Sequence, residues 1–234
     1  MIVKRAVITL GTDKRKDGRF YTKGRIRLKN SLERHCKQDF FVYKSESEVN
    51  APMHTENSHA FKVYCFEKLL AQGYNQIVWL DCSVFAIRDL EPIFQALDKF
   101  GYVFMDSGFK VGSWTNDTAL NYYNLSRDES MNVTMVDTKF FALDFTDPKS
   151  NMFYDAWKQS MLDGIFNGNV SNINKTESQD PRCNGHRHDQ SCASIILNKF
   201  DMNTLVGLEF LEYVNEDNQL PSNENICLFA RGLG

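Results

Sequence analysis

NQIVWLDCSVFAIRDL, residues 75–90, is the stretch on which the fold turns. Ile77-Val78-Trp79-Leu80 is a short continuous apolar run, the pattern of a strand buried on both faces. It ends at Asp81, after which the chain turns apolar again. A carboxylate at the end of a buried strand needs a partner or a ligand. Two residues on, where a second acid would complete a cation site, stands Ser83.

Working outward, residues 59–71 place Phe61, Cys65, Phe66, Leu69 and Leu70 at helical spacing, and Gly73 stops the helix. Before it lie a strand over residues 5–10 closed by Gly11, a helix over about residues 23–35, and a short strand, DFFVY, over 39–43. After it come a helix over about residues 90–99, a strand over 102–105, and the loop SGFKVGSW leading to a polar helix near 116–124. A strand over 140–145 runs into Thr146-Asp147-Pro148, a helix start with Pro in the first turn, and that helix continues to about residue 162. Residues 164–187 are rich in Gly, Asn and Ser and form a long loop. A helix over 189–199 and short strands near 209–214 and 226–230 finish the chain. The alternation predicts an α/β fold in one domain, residues 1–234, with a mostly parallel central sheet and helices on both faces.

The bulk composition supports a sizeable core: 42% of 234 residues are hydrophobic and 13% aromatic, with 18 Phe. A net charge of -3, from 27 basic and 30 acidic residues, argues against a nucleic-acid partner. Basic residues nevertheless crowd the first thirty positions (Lys14, Arg15, Lys16, Arg19, Lys23, Arg25, Arg27, Lys29), as a solvated face or a funnel for a phosphorylated ligand would. The N-terminus does not read as a signal peptide, and no apolar run has the length of a membrane span. Six cysteines without CxxC spacing read as reduced thiols of a cytoplasmic protein. The five N-x-S/T sequences at Asn116, Asn124, Asn132, Asn169 and Asn174 are then coincidences of an Asn-rich chain.

In such sheets ligands bind beyond the carboxyl ends of the strands, which puts Asp81 at the binding edge. No glycine-rich phosphate loop is present, neither G-x-G-x-x-G nor GxxxxGK[ST]. A diphosphate would therefore be held by cations, either a divalent metal on a carboxylate or Lys and Arg side chains. Two helix starts add to this. Lys62 lies three and four residues before Cys65 and Phe66, and Asp189 has the same relation to Cys192 and Ala193, so both point along core-facing stripes. An Asp81/Lys62/Asp189 cluster around a polar ligand follows, against the plainer readings that Lys62 snorkels and Asp189 caps its helix. His186 and His188, in His-x-His-Asp, read as loop residues or weak metal ligands.

The block HAFKVYCFEKLLAQGYNQIVWLDCSVFAIRDLEPIF resembles the core of nucleotide-sugar glycosyltransferases of the GT-A fold, in the style of the glycogenin-like and lipopolysaccharide galactosyltransferase group. Lys62, Asp81, Ser83 and the run Asp89-Leu90-Glu91-Pro92-Ile93-Phe94 fall on that pattern, with Asp81-Cys82-Ser83 as a degenerate Asp-x-Asp. HRHDQSCASIIL and FFALDFTDPKSNMFYDAW are similar to later segments of those enzymes. The resemblance implies a nucleotide part over residues 1–105 and an acceptor and sugar part over 106–234. It also implies transfer of a sugar from a nucleotide-diphosphate sugar, UDP-linked by expectation, to a glycan, protein or lipid hydroxyl. Thr9, Leu10 and Gly11 would border the base. Lys62 would touch donor phosphate or sugar, Asp81 with Ser83 would hold Mn²⁺ or Mg²⁺, and Asp189 and Gln190 would face the transferred sugar. Trp114 would stack on a sugar.

The chain also departs from the pattern. Ser83 is a neutral, weaker ligand in place of an acid. The late metal-binding His is missing, and Arg231 stands near its place, so Lys62 and Arg231 could neutralise the diphosphate without metal. Asp189 and Lys62 are the expected catalytic residues. The alternatives are a sugar-nucleotide or glycan-binding protein that has lost catalysis, and, third, a nucleotidyltransferase.

Overall fold

The computed structural model describes residues 3–12, 21–169, 173–202, 204, 209–215 and 219–232; the basic segment of residues 14–19 lies outside them. The main sheet contains β1 (Arg5–Leu10), β2 (Asp39–Tyr43), β3 (Gln76–Leu80), β5 (Tyr102–Lys110) and β6 (Thr134–Asp144), in the order β2-β1-β3-β6-β5. A smaller sheet, β4-β8-β7, joins β4 (Val84–Ala86), β7 (Leu211–Tyr213) and β8 (Leu228–Ala230). β1 pairs in parallel with β2 and β3, while β6 runs antiparallel to both β3 and β5. Four strands thus point one way with β6 reversed among them, and the central sheet is mixed.

The reversal has a physical cause in residues 106–139. The helix expected near residues 116–124 is only α4 (Asp117–Tyr122), followed by the single turn α5 (Arg127–Ser130). A parallel crossover takes a dozen or more residues, usually helical, packed across the sheet. β5 and β6 instead extend to 9 and 11 residues and pair with each other from Tyr102–Leu143 out to Lys110–Thr134, with residues 111–133 at the far end. Because β6 sits between β3 and β5, the boundary expected at residue 105 does not divide the sheet.

The alternation of side chains along the strands feeds two cores. On one face Ala6, Ile8, Ile77, Trp79, Phe104 and Phe141 pack under α2 (Ala60–Ala71), α6 (Pro148–Leu162) and α7 (His188–Lys199). On the other, Val7, Val78, Leu80, Val103, Phe140 and Ala142 meet α1 (Tyr21–His35), α3 (Glu91–Phe100) and the small sheet. Asp147 caps α6 as its sequence predicts, accepting from the amides of Lys149 and Ser150. All six cysteines are free thiols, and among the described residues no helix is long and apolar enough to cross a membrane.

The carboxyl ends of β1 and β3 approach each other closely. A Cβ on Gly11 would lie 2.3 Å from the Cys82 sulfur, so the residue after β1 must be glycine for the residue after Asp81 to fit. Gly11→Ala should cost about 1–3 kcal/mol in urea unfolding, the usual penalty of overpacking. In the background of Cys82→Ala most of that cost should vanish. Costs that simply add would show that the contact does not constrain this edge.

Candidate functional site

Three elements converge where β1 and β3 end. β3 delivers Asp81, whose amide donates to the Lys139 carbonyl of β6 (2.7 Å). The first turn of α2 delivers Lys62, and the first turn of α7 delivers Asp189. Lys62 is 1% exposed, and its ammonium donates to Asp189 Oδ2 (2.9 Å) and to the Thr138 carbonyl (2.8 Å). It also lies 3.3 Å from Asp81 Oδ1 and 5.3 Å from the centre of the Trp79 ring. The cluster expected from the spacing of the two helices is therefore built, with Lys62 at its centre rather than snorkelling outward.

Burial works against the charge on Lys62, but the attraction of Asp189 and Asp81 outweighs it, so its pKa is raised and the amine stays protonated. Two carboxylates share one buried cation. Asp189 is itself buried and anchored by its backbone, since its carbonyl accepts from the Trp157 indole (3.1 Å). Asp81 differs: its side chain is 30% exposed, and Oδ1 also accepts from the Trp79 indole (2.7 Å). A small cleft of about 20 Å³ opens beside it, lined by Leu10, Gly11, Thr12, Tyr21, His59, Phe61 and Cys82.

The other expected residues divide. Leu10 and Gly11 line the cleft, but Thr9 is wholly buried, its hydroxyl turned to the Cys82 sulfur (3.5 Å). Gln190 turns inward too and spends its amide on the Val136 carbonyl (2.7 Å). Trp114 carries the Arg187 guanidinium over its ring at 4.3 Å, and its carbonyl accepts from the Arg187 amide and the Ser191 hydroxyl. Its ordering partner is thus Arg187, and it anchors the start of α7. Ser83 accepts at its carbonyl from Arg27 Nη2 (2.8 Å) and from the Arg231 amide (3.0 Å). Arg231 therefore does stand at the strand end, and it brings Arg27 with it. The pKa of Arg27 is lowered, first by burial and then by the charge of Arg231.

A resident divalent cation fits this donor set poorly. Asp81 Oδ1 already serves an ammonium and an indole, Asp189 is tied to Lys62, and the donor expected at Ser83 is a neutral hydroxyl. Among the described residues no group of three or more His, Cys, Asp or Glu side chains is arranged to hold a metal ion, His186 and His188 included. His186 instead sits buried between the Asn116 amide and the Ile165 carbonyl, and burial and the neighbouring His188 hold its pKa down at about 3.

The sequence reading missed His59. It precedes α2 in the left-handed region (φ 59°), and its Nδ1 lies 3.7 Å from Asp189 Oδ1. His188 opens α7 in the same conformation (φ 50°), and the two rings lie 5.1 Å apart. No sequence pattern marks a left-handed histidine. The signal for Arg27 was present in the basic N-terminal crowd and was masked by its ordinary reading as a solvated face.

Removing one partner of a buried ion pair leaves the other charge uncompensated, which costs about 3–5 kcal/mol. Lys62→Met should destabilise the protein by that order in urea unfolding. Lys62→Met combined with Asp189→Asn should recover a large part of the loss. A double variant no more stable than Lys62→Met alone would mean that the pair does not hold the site together.

No family model and no curated protein matches the sequence. Among solved structures, the chain is similar to mouse xyloside xylosyltransferase 1 in its apo form, at 10% identity and a TM-score of 0.52, over 97% of each chain. It is also similar to the apo structure of the bifunctional glycosyltransferase WbbM, at 11% identity and a TM-score of 0.54, over 98% of this chain and 46% of that one. The chain thus has the glycosyltransferase-type α/β fold, the GT-A architecture, with Asp81, Lys62 and Asp189 at the carboxyl edge of its sheet.

Proposed function

We propose that the protein is a glycosyltransferase that moves a sugar from a nucleotide-diphosphate sugar, a UDP-sugar in the first instance, to an acceptor hydroxyl. The observation that carries this reading is the buried Lys62 bridging Asp189 and the partly exposed Asp81 at the carboxyl edge of the sheet, in a fold shared with glycosyltransferases. Sugar transfer needs negative charge beside an oxocarbenium-like carbon and positive charge beside the departing diphosphate. Asp189 and Asp81 supply the first. Arg27 and Arg231, side by side at Ser83, supply the second.

In this mechanism the acceptor oxygen bonds to the anomeric carbon as the bond from that carbon to the diphosphate oxygen breaks. The electron pair of that bond stays on the nucleoside diphosphate, which also takes up the acceptor proton. Asp189 Oδ2 is engaged by the Lys62 ammonium and the side chain is buried, so it acts as a fixed electrostatic stabiliser rather than as a mobile base. Lys62 is a positioning residue: its ammonium is spent within the protein, and it sets the distance between the two carboxylates. On this reading Arg27 and Arg231, which meet beside Ser83, offset the charge of the leaving group.

The second reading is a sugar-nucleotide-binding protein without turnover. What favours it is the single exposed acid, Asp81, where an active metal-dependent site would hold several.

Slow hydrolysis of a UDP-sugar by the purified protein separates the two. The transferase reading predicts turnover that persists in EDTA and falls by about 10²–10³-fold in Asp189→Asn, the scale of losing one electrostatic stabiliser. UDP affinity should be the same in both proteins. Donor binding without any turnover would favour the binding protein, and turnover abolished by EDTA would restore the metal.

A further inference from the structure

Next to His59 lies a second cleft of about 240 Å³, bordered by His54 and His188, whose rings contact that of His59. His54, Thr55, Glu56, Ser58, Asn167 and His188 form its walls, and none of them is an apolar side chain. Two segments distant in sequence build it. The Ser58 amide donates to Asn167 Oδ1 (3.0 Å), and the Asn57 amide group donates to the Met161 carbonyl (3.1 Å), which pins the turn before α2 to the last turn of α6 and the segment after it. The fit is close: a Cβ on Gly168 would meet the His186 ring at 2.8 Å.

His59 joins this cleft to the first. It lines the cleft over Asp81, meets the His54 ring edge-to-face at 4.7 Å and the tilted His188 ring at 5.1 Å, and approaches Asp189. Both His59 and His188 are held at positive φ, a conformation that costs about 1–3 kcal/mol for most non-glycine residues and gathers at functional sites. A polar hollow one imidazole away from the proposed anomeric carbon has the chemistry for a ligand made of hydroxyls. The imidazole rings of His54 and His188 offer a face to the CH side of such a ligand, and an anion would meet Glu56. The volume is below the usual range for drug-sized ligands, about 300–1,000 Å³, and is suited to one sugar ring.

We propose that this cleft is the acceptor subsite and takes the terminal residue of a neutral glycan, with His59 orienting the attacking hydroxyl between the clefts. This rests on the glycosyltransferase reading, which fixes Asp189 as the point of transfer.

The test is a titration of the full chain, labelled at its histidine rings, with neutral methyl glycosides in the presence of UDP, followed by NMR. His54 and His188 should shift with millimolar affinity for at least one glycoside, while His35 on α1 stays still. Thr55→Trp, which fills the hollow, should weaken that binding tenfold or more with UDP affinity unchanged. If no methyl glycoside moves His54 or His188, or if Thr55→Trp binds as well as the natural chain, the proposal is overturned. The wild-type titration decides the matter even if the variant does not fold. UDP affinity, read in the same sample, tests the donor reading separately: a chain that binds UDP but no glycoside loses only the acceptor subsite.

Discussion

One buried ammonium organises the site. Lys62 cannot leave its position without exposing Asp189, and neither carboxylate can move toward the other without it. A lone charge in this environment would cost several kcal/mol, so the three groups are stable only together. That requirement ties the first turns of α2 and α7 to the end of β3. These elements are far apart in sequence, and their alignment fixes the geometry of the cleft above Asp81.

The neighbouring contacts follow from the same constraint. The Trp79 indole holds Asp81 from within the strand, and the Trp157 indole holds the backbone of Asp189 from α6. The Thr138 and Lys139 carbonyls of β6 serve Lys62 and the Asp81 amide in turn. The antiparallel course of β6 therefore has a use, since it brings the start of that strand to the carboxyl edge of its neighbour. Positive charge is kept to the other side of Ser83, where Arg27 and Arg231 meet. Acidic groups thus gather on one side of the strand end and guanidiniums on the other, the arrangement on which the proposed transfer rests.

Much of this was legible in the sequence because it depends on periodicity. The helical spacing of Lys62 and Asp189 to their apolar neighbours placed both inward, and the run before Asp81 placed it at a strand end. The direction of β6 was not legible. It depends on whether residues 106–139 cross the sheet or fold back, and an apolar strand reads the same in either direction. Thr9 and Gln190 have polar groups suited to a ligand, and only the packed structure shows them consumed by Cys82 and Val136. His59 was missed, and His188 reads in sequence only as a loop residue or weak metal ligand, because their placement comes from a backbone conformation that residue type does not announce. The resemblance in sequence supplied the fold, and the site's own chemistry had to supply the rest.

The central claim is that the cleft over Asp81 is a nucleoside-diphosphate-sugar site. Thermal unfolding of the full chain against a panel of nucleoside diphosphates, their sugar esters and free diphosphate tests it most directly. Binding to the folded state alone raises the melting temperature in proportion to the logarithm of ligand concentration. The account predicts that one nucleoside diphosphate and its sugar esters raise the melting temperature in the presence of EDTA, and that the rise is lost in Arg27→Ala/Arg231→Ala. A panel in which no nucleotide shifts the transition would contradict it.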